Sequence, residues 1–188
     1  EFTPSIDGDP RIYVIYASGL GSSVAGYFNS SDSFHPLVKE FSNAHETYML
    51  STTQDLTDEY TYGVLAHEFV HMIQFASDRN DVSWLSEGFA ELGVLLNGYD
   101  VGGKDWDYVR DPDLQLTTWG GSVGENGPHY GQSFLFFAYF LDRFGEEATK
   151  ALTNNPENSI SSVDDTLAQL GITDPLTGEA VTADDVFM

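Results

Sequence analysis

Hydrophobic positions recur along the chain with two different periods, and the switch between them organises the molecule. Residues 11 to 18, Arg-Ile-Tyr-Val-Ile-Tyr-Ala-Ser, follow the turn-forming Asp7-Gly8-Asp9-Pro10 and are β-branched or aromatic at most positions. That pattern predicts a buried strand, central in a sheet. Gly19 to Asn43 is rich in Gly, Ser and Asn and holds a short strand at Tyr27-Phe28, after which Glu46 to Thr53 resumes strand character.

Beyond that point the period becomes helical. Leu65, Phe69, Met72, Ile73 and Ala76 share one side of a helix from about Asp58 to Ser77, with Thr57 or Asp58 available as its cap. Val64, Val70 and Phe75 widen the apolar surface, so this helix is expected to be largely buried. The polar turn Asp78-Arg79-Asn80-Asp81 leads into a second helix of about Ser83 to Leu96, closed by Asn97-Gly98. So short a connection lets the two helices face each other.

Residues 98 to 128 contain seven glycines and two prolines with little periodicity, and read as a long loop with one short helix near Trp106. Loops of this length inside a compact domain are usually functional. Tyr130 to Phe144 is apolar almost all round, Glu146 to Leu152 continues it, and Ser161 to Leu170 forms an amphipathic helix ending at Gly171. Asp184 to Met188 reads as a helix cut short and Glu1-Phe2 as a cloning remnant, so the chain is expected to be excised from a longer one.

The predicted fold class is α+β. A small mixed sheet and the first long helix occupy about 1–78, and the second helix and a mainly helical C-terminal part occupy about 83–188. With 188 residues, 41% hydrophobic and 14% aromatic, the chain supports one well-buried domain over 1–188. A monomer is expected.

Charge narrows the partners. Thirty Asp and Glu against seven Lys and Arg give a formal charge of -23, which repels phosphate backbones and anionic headgroups. Nucleic-acid binding is excluded on that ground. Membrane insertion is excluded by the lack of any apolar run of the roughly 20 residues a span needs. With no cysteine, a metal would have to be held by His, Asp or Glu. The acidity reads first as a solvated surface and second as Ca²⁺ sites, with Asp7 and Asp9 as one cluster and Asp105, Asp107, Asp111 and Asp113 as another, though neither forms a twelve-residue EF-hand loop. Packing is the default role for His35 and His45.

One motif carries chemistry. His67-Glu68-Phe69-Val70-His71 sets two imidazoles one turn apart on the same helical face, where both can reach one Zn²⁺. For this composition chance supplies roughly 0.01 such matches per chain, so an accidental pair is a poor explanation. Glu68 lies beside the pair, placed to act on water at the metal. In Trp84-Leu85-Ser86-Glu87-Gly88-Phe89-Ala90-Glu91 the adjoining helix offers Glu87 as third ligand, leaving the fourth tetrahedral position for water. Glu91, one turn further, is placed to orient His67 or His71 from behind. An ordinary salt bridge is its alternative role.

These two motifs resemble those of the gluzincin zinc peptidases. The second is similar to the glutamate motif of aminopeptidase N relatives, and the wider pattern over roughly residues 11 to 150, including Gly26-Tyr27-Phe28 and His129 to Phe134, is similar to the hyicolysin-like bacterial secreted branch. The resemblance implies a zincin-like catalytic domain, a secreted or extracellular bacterial or archaeal enzyme, and a protein or peptide substrate bound in extended form against an edge strand at 46 to 53. It also implies an oxyanion-stabilising Tyr at Tyr130, with His129 the alternative by analogy with thermolysin-like enzymes.

Two departures matter. Only 15 residues separate His71 from Glu87, fewer than in aminopeptidase N or thermolysin relatives, so a tighter hairpin is expected. The Gly-x-Met-Glu-Asn segment by which aminopeptidases grip a free amino terminus is missing, which favours a zinc metalloendopeptidase over an aminopeptidase. The rival readings are a zinc-binding but catalytically silent adhesion or scaffold module, which would have no need of Glu68, and a hydrolase of a non-peptide substrate such as an epoxide.

Overall fold

The structure is a computed structural model that describes residues 6–21, 23–120 and 126–187. It is a mixed α+β fold. Among the described residues a three-stranded sheet of β1 (Tyr13–Ala17), β2 (Gly26–Phe28) and β3 (Thr47–Ser51) is joined by six helices. These are α1 (Glu59–Ser77), α2 (Ser83–Leu96), α3 (Lys104–Arg110), α4 (Gly127–Thr153), α5 (Ile160–Gln169) and α6 (Ala183–Phe187). By contacts the chain forms two compact units, Glu1–Ala76 with Gly93–Gly102 and Ser77–Leu92 with Gly103–Met188.

In the first unit β3 lies between β1, which it pairs in parallel from Tyr13↔Thr47 to Ala17↔Ser51, and β2, which it pairs antiparallel from Gly26↔Leu50 to Phe28↔Tyr48. Two expectations change here. The strand predicted to be central and buried, β1, is an edge strand with Val14, Ile15 and Tyr16 exposed. The strand expected at the edge, β3, is the buried middle one, with both sides of its backbone already paired. A β-branched run reports strand propensity; its place in the sheet is decided by non-local pairing that propensity does not encode.

Asp58 starts α1, its carboxylate accepting from the Tyr60 N–H at 3.0 Å. The helix is less buried than its apolar surface predicts. Phe69, Tyr60 and Tyr62 are exposed, and its buried residues are Thr61, Gly63, Glu68, Met72 and Gln74. Polar groups thus take up much of the interior side. Phe75 reaches back to the sheet, its ring 5.7 Å from Phe28 and 6.1 Å from Phe34.

Helix α2 ends as predicted. Gly98 adopts φ 84°, the Tyr99 N–H bonds to the Val94 carbonyl and the Gly98 N–H to that of Leu95, which closes the last turn in a Schellman arrangement. One turn earlier Gly93 meets α1 so closely that a Cβ there would stand 2.4 Å from Val70 Cγ2.

In the second unit Gly88 plays the same part against α4, where a Cβ would stand 2.4 Å from the fully buried Phe137 ring. Around Phe137 pack Phe89 at 4.1 Å, Phe136 at 5.2 Å and Trp84 at 5.7 Å, a dense aromatic core. Helix α4 breaks regularity at Gly145 (φ 82°, ψ 178°), and α5 and α6 close on it, Ala183 N–H donating to Asp164 Oδ1 at 2.7 Å.

Two measurements check this packing. Gly88→Ala drives a methyl into Phe137 and is expected to cost about 1–3 kcal/mol, read as a lower urea midpoint at constant slope. In the α1–α2 turn, burial and then the Asp78 carboxylate raise the Asp81 pKa to about 6. The folded state therefore favours its neutral form, and that contribution is present below about pH 4 and lost as pH rises through the folded value. Asp81→Asn is expected to be about 1–2 kcal/mol more stable than wild type at pH 8, after allowance for solvent screening, and to gain nothing at acid pH.

Candidate metal centre

Helical geometry sets the first two donors. One turn apart on α1, His67 and His71 turn their Nε2 atoms toward each other at 3.0 Å, with ring centroids 4.6 Å apart and planes at 83°. Two nitrogens bound to one tetrahedral zinc at ~2.0–2.1 Å stand about 3.3 Å apart, so the pair is close to the ligating geometry. One ligand atom from each of His67, His71 and Glu87, the last on α2, lies within 4.8 Å of the other two, and all three residues are half-buried, so together they could hold a metal ion. Among the described residues no other group of three His, Asp or Glu converges in this way. The donor set of two imidazoles and one carboxylate suits zinc and leaves a position open.

Glu68 points to the interior side of α1 and is 6% exposed. Strand β2 runs close over it. A Cβ on Gly26 would meet Val64 Cγ1 at 2.8 Å, the Met49 carbonyl oxygen at 2.9 Å and Glu68 Cγ at 3.4 Å, so only glycine lets the strand lie this near. The neighbouring Tyr48 phenol on β3 has its pKa raised, first by burial and then by the Glu68 charge. Gly26 and Tyr48 carry no chemical signature of their own in the sequence, where they belong only to the wider pattern of the resemblance.

The remaining expected residues form a second constellation around the start of α4. Glu91 is 1% exposed and its Oε1 accepts from Lys104 Nζ, an ion pair that realises the salt-bridge role weighed for it. The same ammonium stands 4.5 Å over the Tyr130 ring. Trp119 lies 4.9 Å from Tyr130 and 5.7 Å from His129, so both residues expected to serve the oxyanion share one aromatic neighbour. His129 Nδ1 is buried and has no hydrogen-bond partner among the described residues. Pro128 opens the helix, and Asn126 just before it clamps Gly120, accepting from its N–H at 3.0 Å and donating to its carbonyl at 3.2 Å. Lys104 opens α3 and Trp119 follows that helix, both within the stretch 98–128, whose length marked it as functional but whose residues gave no individual signal.

Within the acidic clusters three residues form ordinary pairs, Asp7 with His45 at 2.7 Å, Asp9 with Arg11 at 2.9 Å and Asp107 with Arg110 at 3.8 Å. No family model matches the chain, and no curated protein matches it.

The donor set makes a direct forecast. After equilibration with zinc and dialysis the protein is expected to retain roughly one equivalent, and His71→Ala or Glu87→Ala to retain well under half of that at the same free zinc, both measurable by elemental analysis.

Proposed function

We propose that the chain is the zincin-like catalytic domain of a zinc-dependent endopeptidase of the gluzincin type. The observation that carries this reading is the convergence of His67, His71 and Glu87, with the buried carboxylate of Glu68 one residue from the first ligand. A scaffold site would need the three ligands and no fourth acidic group.

Zinc held by these residues would supply Lewis acidity, polarising the scissile carbonyl and making a water easier to deprotonate. Glu68 acts as the general base that takes the proton of the attacking water and then as the acid that delivers it to the leaving amine. Its burial keeps competing solvent away from the transferred proton. Tyr130 donates to the oxyanion through its hydroxyl, with His129 the second choice for that donor.

Substrate pairing moves from β3 to β2. Because β3 is paired on both sides, an extended peptide would have to add to an outer strand, and β2 is the outer strand that lies against Glu68. The partner is accordingly a protein or peptide in extended form. The strongly acidic chain, in which no helix among the described residues is long and apolar enough to cross a membrane, fits a secreted or extracellular enzyme.

Casein digestion tests the reading. Zinc-loaded protein is expected to cleave it, a chelator to stop cleavage, and Glu68→Gln to lose at least about 100-fold in rate while keeping its zinc. Zinc bound without cleavage in the wild type would replace the enzyme by a silent binding module, and no zinc at all would overturn the site.

A further inference from the structure

Lys104 touches both ends of the constellation at the start of α4. Its ammonium pairs with the buried Glu91 carboxylate and stands 4.5 Å over the centre of the Tyr130 ring. From elsewhere in the same loop Trp119 meets that ring at 4.9 Å and 69°. The backbone of Lys104 is held just as closely, since a Cβ on Gly131 would stand 2.0 Å from the Lys104 carbonyl oxygen and 3.0 Å from Tyr108 Cβ. Glycine at 131, directly after Tyr130, is therefore what lets α3 lie against the first turn of α4.

An ammonium is an expensive group to commit in this way. The chain has seven Lys and Arg for thirty carboxylates, and most of those carboxylates are solvated. A Lys that reaches into the fold to satisfy one buried carboxylate and one aromatic face has its position fixed by two different attractions. Displacing the Tyr130 ring breaks the cation–π contact, and displacing the ammonium leaves Glu91 short of its countercharge.

We propose that Lys104 is a positioning residue that fixes the Tyr130 ring, bridging it to Glu91 while Trp119 bounds it. Resting on the reading above, this fixes the direction in which the phenol hydroxyl meets the oxyanion. Lys104 does not itself touch substrate. Its removal therefore alters the turnover step and spares substrate binding.

The test is a cycle of Lys104→Met, Tyr130→Phe and the double variant, with Lys104→Arg as the conservative rescue, read by kcat and KM on one peptide and by near-ultraviolet circular dichroism of the metal-free proteins. Lys104→Met is expected to lower kcat about tenfold with KM within about twofold and zinc content unchanged, and Lys104→Arg to recover most of the loss, because the guanidinium also pairs with a carboxylate and stacks on a ring. On the Tyr130→Phe background Lys104→Met is expected to cost nothing further in kcat. In dichroism Lys104→Met is expected to change the tyrosine band of the wild type and leave the Tyr130→Phe spectrum as it was. Equal kcat losses on both backgrounds, a change confined to KM, or no rescue by arginine would overturn the proposal. If wild type with bound zinc cleaves nothing, the peptidase reading fails and the dichroism cycle still decides on Lys104: coupling to Tyr130 upholds the clamp, and its absence removes it. Should Lys104→Met not fold, Lys104→Gln, uncharged but able to donate to Glu91, takes its place in the cycle.

Discussion

The close approach of α2 to α1 is the constraint on which the candidate site depends. At Gly93 there is no space for a side chain, because Val70 fills it, and Val70 lies between the two histidines in sequence. A glycine packed on a β-branched side chain fixes the approach of the two backbones more narrowly than two flexible residues could. The same helix uses Gly88, beside Glu87, to seat itself on Phe137. The residues that flank the chemistry are thus small because the backbone must come close, and this also explains why the turn from α1 to α2 can be so short.

Local signals in the sequence account for the helices and their ends. Periodic apolar positions, the Asp58 cap and the Gly98 closure are all encoded within a few residues of where they act, so α1 and α2 appear where the pattern puts them. His67, His71 and Glu87 were legible for the same reason: the spacing of one turn is local, and the third ligand follows a short connection. The sheet was misread because strand order is a non-local property. The run at Tyr13–Ala17 and the run at Thr47–Ser51 have similar composition, and only the arrival of β2 on the far side of β3 makes one of them central. Lys104 and Trp119 carry no signal because they reach Tyr130 from a short helix and a loop of irregular sequence, where no period links them to α4.

Burial in α1 shows what the site costs the fold. An ordinary helix with this many apolar residues would place them inward, yet Phe69 is exposed while Glu68 and Gln74 are inside. Neither amide atom of Gln74 has a hydrogen-bond partner among the described residues, and the same holds for the hydroxyl of the fully buried Ser133 on α4. Each such group costs about 1–3 kcal/mol unless an ordered water meets it. A sequence optimised for stability alone would put hydrophobes at these positions. Sequence rules for packing are expected to fail first at functional sites, and interior polarity of this kind is what the proposed chemistry would require.

The charge balance leads to the same place. A chain with a formal charge of -23 holds its carboxylates apart by solvating them, and a buried carboxylate is the exception that needs a cation. Glu91 meets that need with Lys104. As metal ligands, two imidazoles and a carboxylate would carry one negative charge between them, which a dication reverses and a monovalent side chain would merely cancel. The seven cationic residues are too few to serve every acidic group, and among the described residues His67, His71 and Glu87 are the group that could hold a metal ion.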